Sequence, residues 1–206
     1  MTGPYLQLPD HETMGLNDFG SNLYLGLVHH PVYDKRKEVV ATAVTNFDVH
    51  DIARCARTFG LGGFFIITPL ESQILLVERI IRHWVEGTGA AYNPTRKESL
   101  SLVHVSRSVD EADRTLADLW DKKVKRIATG AGPHPRSVGF EPMRQLLADL
   151  ETPFLMLFGT GWGLTREVKD GSDYVLAPIE GKGYNHLSVR SAVAIILDRL
   201  LGERIA

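Results

Sequence analysis

The chain of 206 residues suits one domain and is long enough to bury a core without disulfide or metal staples. Hydrophobic residues at 44% and charged residues at 23% exclude wholesale disorder. A formal charge of −2 excludes a strongly basic tail, but a local basic groove for a polyanion remains open, because steering depends on where charges sit.

Cys55 is the only cysteine, so neither an intramolecular disulfide nor a multi-cysteine zinc site can form. No apolar run approaches the roughly 18 residues of a membrane span. The N-terminus has no basic segment leading into an apolar one, and the expected compartment is the cytoplasm. Residues 1–22 carry Gly3, Pro4, Pro9, Gly15 and Gly20 without a sustained period, and read as a flexible arm before a domain over 23–206.

Residues 23–28 are a short apolar strand. A charged turn, Asp34-Lys35-Arg36-Lys37-Glu38, leads to a second strand at 39–44. Val49, Ile52, Ala53, Ala56 and Phe59 then recur at helical spacing, with Asp48 as the expected N-cap and Gly60 at the C-terminal end. Residues 63–68 form a buried strand, and Leu70, Ile74, Val77, Ile81 and Trp84 form one helical stripe. A loop over 87–94, a strand at 100–105 and a helix through Val109, Ala112, Leu116 and Leu119 follow. Next come a strand at 124–129, a Gly-Pro-rich loop at 130–139, a helix through Met143 and Leu147, and a strand at 153–158. A glycine loop, a strand at 174–177 and a helix carrying Val193, Ile196, Leu197 and Leu200 complete the chain. Strands that are apolar runs, alternating with helices, predict an α/β fold with a mainly parallel sheet covered on both faces.

Ligands of such sheets collect at the carboxyl ends of strands. Three loops there are rich in functional groups. Asn46, Asp48, His50, Asp51 and Arg54 crowd the first helix. Gly159, Gly161 and Gly163 alternate in the loop after Phe158, where a missing side chain lets a ligand approach the backbone. Pro178 and Gly181 precede the last helix, in Pro-Ile-Glu-Gly-Lys-Gly. There is no first-turn dinucleotide fingerprint and no Walker lysine motif.

Together, Asn46 with Arg54, the Phe158–Gly161 loop and the Pro178-x-x-Gly181 segment resemble the three motifs of the SPOUT superfamily, knotted methyltransferases that use S-adenosylmethionine (SAM). The segment Leu27-Val28-His29-His30-Pro31-Val32-Tyr33, joined to Thr45 through Arg54, resembles a bacterial subgroup of RNA methyltransferases, some of whose members are fused to a tRNA guanine-N1 methyltransferase. The resemblance implies a deep trefoil knot near the C-terminus and a homodimer with a shared substrate site. It also implies a SAM site made by Thr129, Gly130, Phe158, Gly159, Thr160, Gly161, Pro178, Ile179 and Leu187. No metal is implied.

The third motif departs from the ribose-methylating pattern: Ser188 and Arg190 stand where asparagine and serine are usual, and the second motif lacks its glutamate. The expected substrate is RNA, with tRNA and a ribose 2′-oxygen favoured. A base nitrogen, or an RNA-binding module without catalysis, are the alternatives. A partner or fused domain is expected to add RNA affinity. Arg54, permanently protonated, is assigned an electrostatic role on a phosphate or developing alkoxide. Asn46 would fix the loop, and Asp48 and Asp51 would hold Arg54 or accept a proton. His29, Arg136 and His186 are candidate substrate contacts. Trp162 either stacks a base or covers the cofactor. Lys35 to Lys37 is a phosphate-contacting hairpin or a soluble turn.

Overall fold

Continuous apolar runs become strands here because every strand face meets a core. In β1 (Leu23–Val28), Leu23, Leu25 and Leu27 point into one buried cluster, and Tyr24 and Val28 point into the other. The same division recurs in β4 (Gly63–Ile67) and β8 (Phe154–Gly159). The computed structural model describes residues 21–202. Its main sheet has seven strands in the order β5-β4-β1-β8-β6-β9-β7, and the pairings are parallel. The remaining members are β5 (Val103–Ser106), β6 (Lys125–Ala128), β7 (Ser137–Val138) and β9 (Tyr174–Leu176).

One face is covered by α1 (Asn46–Thr58), α2 (Glu71–Val85), α4 (Pro94–Leu100), α6 (Phe140–Leu147) and α8 (Val189–Leu201). The other is covered chiefly by α5 (Val109–Trp120), where the Trp120 indole donates to the Tyr24 hydroxyl at 2.9 Å. Two short helices complete the set, α3 (Thr88–Tyr92) and α7 (Arg166–Asp170).

Several boundaries differ from the expectation. The second strand is not in the sheet: Val39–Val40 (β3) pairs antiparallel with Val32–Tyr33 (β2) in a separate ribbon, and Val39 is exposed. Only Val44 of the segment 39–44 is buried in the core; Val40 is half-buried. Thr45, not Asp48, caps α1; its hydroxyl accepts from the Asp48 amide at 3.2 Å and donates to the Asp48 carboxylate at 2.6 Å. The 87–94 loop contains α3, and α4 begins at Pro94 with Asn93 as its cap, which delays β5 to Val103.

The expected arm lies mostly outside the described residues. At its end, however, Asn22 is already fixed: its buried amide donates to the carbonyls of Leu147, Asp149 and Thr152 at 2.8–3.2 Å. Three basic residues at the start of β6 are ion-paired: Lys122 just before it with Glu151, and Lys125 and Arg126 within it with Asp173 and with Asp110 and Asp113.

Candidate active site

At the carboxyl ends of β6 and β9, two loops face each other across a cleft of about 450 Å³. Ala131 and Pro133 line one side, and Pro178, Ile179, Tyr184 and Asn185 line the other. The Asn185 amide donates to the Ala131 carbonyl at 2.8 Å and ties the loops together. Glu180 supplies a carboxylate to the same cleft. Thr129 and Gly130 lead directly into it. The Thr129 hydroxyl and amide both donate to the Leu157 carbonyl, at 2.9 and 3.1 Å, which sets the end of β8 alongside. Apolar walls, backbone groups and one carboxylate in this volume fit a compact zwitterionic nucleoside.

The glycine loop after β8 is tightly packed on its neighbours. It folds onto the β2–β3 ribbon: Tyr33 N–H donates to the Gly163 carbonyl at 3.0 Å, and Trp162 N–H to the Tyr33 carbonyl at 2.8 Å. A β-carbon on Gly161, whose φ is +57°, would stand 2.9 Å from the Tyr33 carbonyl oxygen. One on Gly159 would collide with the Gly163–Leu164 backbone. These glycines are required by the loop's own packing. Thr160 donates to the Val28 carbonyl and bonds the Thr42 hydroxyl, joining β1, β8 and the segment after the ribbon. Phe158 is core. Of the expected cofactor set, Pro178 and Ile179 line the cleft, and Thr129 and Gly130 adjoin it. Phe158, Gly159, Thr160 and Gly161 shape the neighbouring loop, and Leu187 is exposed just before α8.

The α1 residues are brought together with α8. Asp48 and Asp51 do not hold Arg54; they hold Arg190, with ion-pair distances of 3.1 and 2.9 Å. The same guanidinium lies 5.5 Å from the centre of the Phe47 ring. The departure at Arg190 therefore has a structural role, locking the start of α8 to the start of α1. Arg54 is exposed on α1 with no ion pair among the described residues, and Asn46 is exposed at the first turn.

The candidate substrate contacts divide. Arg136 spends its guanidinium on the carbonyls of Lys169, Asp170 and Ser172, capping the end of α7, so it is a structural residue. His186 is exposed and stacks edge-on against Tyr184 at 5.4 Å. His29 is buried, with Nδ1 bonded to the Thr42 hydroxyl at 3.0 Å. This places it beneath the site, supporting Thr42 and Thr160.

Burial drives the His29 imidazole down to about 4, with Asp48 offsetting this in part. An unfolded histidine titrates near about 6.5, so below that pH the unfolded chain takes a proton that the fold refuses. The His29 contribution is intact above pH 6.5 and is lost progressively as pH falls toward 4, by about 2 kcal/mol at pH 5. Thermal melts at pH 7.5 and 5 are expected to show a lower Tm at pH 5. Burial holds His104 near 4 as well, so His29→Gln should reduce that slope by roughly half; an unchanged slope would assign it to other groups.

Lys169, which the sequence did not single out, lies beside the site: its ammonium is where a Gly130 β-carbon would be 3.1 Å away. The hydroxyl of Tyr33, the last residue of the subgroup-like segment that starts at Leu27, accepts from the first amide of α7 at 3.2 Å. Lys169 sits in no motif, and only the fold brings α7 to the ribbon.

A family model described as SAM-dependent RNA methyltransferase matches residues 22–202. A tRNA (guanine-N(1)-)-methyltransferase of Oleidesulfovibrio alaskensis is 46% identical over 89% of this chain, but this chain covers only 43% of that protein. An uncharacterized protein of Aquifex aeolicus is 36% identical over 88% of this chain and 89% of its own length. Among solved structures, TrmJ from Z. mobilis ZM4 aligns with a TM-score of 0.55 at 16% identity, covering 89% of this chain and 69% of its own, a likeness of fold. The motif resemblance is thus borne out, and the chain belongs to the SAM-dependent RNA methyltransferase family.

Proposed function

We propose that this chain transfers a methyl group from SAM to tRNA, as a homodimer, with the cofactor in the cleft between residues 131–133 and 178–185. The observation that carries this reading is that cleft, built at the strand ends from the family's third motif. Pro178 and Ile179 would pack the adenosine, and the surrounding backbone and Glu180 would meet its polar groups. Bound SAM supplies an electrophilic methyl group on a sulfonium. The order β6-β9-β7, with the segment after β9 tied to Ala131, supports a C-terminal trefoil knot.

Phe47 is 68% exposed on α1, and Leu187 is exposed just before α8. An apolar pair beside the Arg190 lock supports pairing of two copies across α1 and α8. Such pairing would deliver Arg54, which lines neither cleft of its own subunit, to the partner. There it would hold the substrate phosphate and stabilise charge on the accepting oxygen.

For the acceptor we favour the ribose 2′-oxygen: Arg54 would offset the charge that develops as the hydroxyl proton passes to water, and Asp48 and Asp51, paired with Arg190, are not free to take a proton from a base. N1 of guanine is the second reading. It is favoured by the names of relatives more than twice this chain's length, whose activity belongs to the whole protein. Alkaline hydrolysis separates the two. A 2′-O-methyl group removes the attacking hydroxyl and leaves one protected phosphodiester. A methyl on N1 leaves the ladder complete and stops reverse transcription.

A further inference from the structure

A second cleft, of about 490 Å³, lies between the β2–β3 ribbon, the loop after β8 and α7. We propose that it is a subsite for single-stranded RNA, in which Lys37 and Lys169 hold a backbone phosphate and Trp162 stacks a neighbouring base. This rests on the RNA methyltransferase reading and adds where the strand lies.

The charge balance carries the argument. Asp170 is the cleft's only carboxylate and is shared by Arg166 at 3.2 Å and His134 at 3.3 Å. Arg136 is consumed by carbonyls. Lys37 and Lys169 have no carboxylate partner among the described residues. Lys169 is half-buried, and its ammonium is destabilised first by burial and then by Lys37. Lys169, partly buried, and the exposed Lys37 line one cleft and repel each other, and an anion between them removes that cost.

Both groups are held in place. Lys37 sits at φ +66° in a turn braced by Asp34, whose carboxylate accepts from the amides of Arg36 and Glu38 at 2.7 and 2.9 Å; its ammonium is 5.7 Å from the Tyr33 ring. Lys169 abuts Gly130, the entrance to the cofactor loop, which puts the phosphate beside the reacting nucleotide. Trp162 is 59% exposed at the rim, its backbone pinned to Tyr33. An indole beside a phosphate site is the pairing that a splayed single strand needs.

The test is binding of an unmodified tRNA transcript, by fluorescence anisotropy across a potassium chloride series, with SAM affinity measured in parallel. Lys37→Gln/Lys169→Gln should bind at least about tenfold more weakly, with the salt slope shallower by about one phosphate contact. Lys37→Gln alone, at an exposed turn, should show part of that loss. Trp162→Ala should weaken binding roughly 5- to 100-fold with an unchanged slope and unchanged SAM affinity. Wild-type slopes in both lysine variants would overturn the subsite. Indifference to Trp162→Ala would mean that the lysines take a free anion, and would overturn the strand assignment. Wild-type protein that neither binds nor methylates tRNA would instead sink the functional reading itself.

Discussion

Arg54→Ala is expected to slow methyl transfer to tRNA by about 10²- to 10³-fold, the usual cost of removing one charged group from a developing oxyanion. Folding should be nearly untouched, within about 0.5 kcal/mol, because the side chain is exposed and pairs with nothing among the described residues. SAM affinity should also hold, since Arg54 does not line the cofactor cleft. If Arg54 acts across the dimer, mixing Arg54→Ala with an inactive cleft variant such as Ile179→Asp should restore about a quarter of wild-type activity, through one intact site per mixed dimer. No recovery on mixing would place Arg54 in its own subunit's site. Full activity of Arg54→Ala would remove it from the mechanism.

Gly159→Ala is expected to destabilise the fold by about 2–3 kcal/mol, a fall in Tm of roughly 4–12 °C. Its added carbon meets backbone, including the Gly163 carbonyl carbon at 2.8 Å, so no side-chain rotation relieves it. The loop must lift from the ribbon, and Trp162 moves with it. tRNA binding should therefore fall further than in Trp162→Ala alone. Gly163→Ala is the control. Nothing lies within 4 Å of its β-carbon, so only the strain of φ +96° is incurred, about 1–2 kcal/mol. Destabilisation by Gly159→Ala no larger than by Gly163→Ala would contradict the clash with the 163–164 backbone.

The sheet was legible from the sequence because its strands are buried on both faces. Runs such as Phe64-Phe65-Ile66-Ile67 admit no other placement in a chain of this composition. The ribbon was not legible, because Val39 and Val40 have strand composition but pair only with Val32 and Tyr33, outside the main sheet. The start of α4 was signalled by Asn93-Pro94, a cap followed by proline, inside a segment read as loop.

At the site, Pro178 and Ile179 line the cleft at the strand ends. The alternating glycines are needed, but by the backbone of their own loop and by Tyr33. A sequence shows that a side chain is missing without showing what fills the space. The Arg190 lock and the Lys37–Lys169 pair depend on contacts between distant segments, which no local pattern encodes.

The most direct measurement of the central claim is transfer of label from methyl-radiolabelled SAM to tRNA transcripts that carry no modifications. Saturable labelling of one nucleotide by the wild-type protein, lost in Arg54→Ala, is the predicted result. SAM binding without labelling of any tRNA would contradict it.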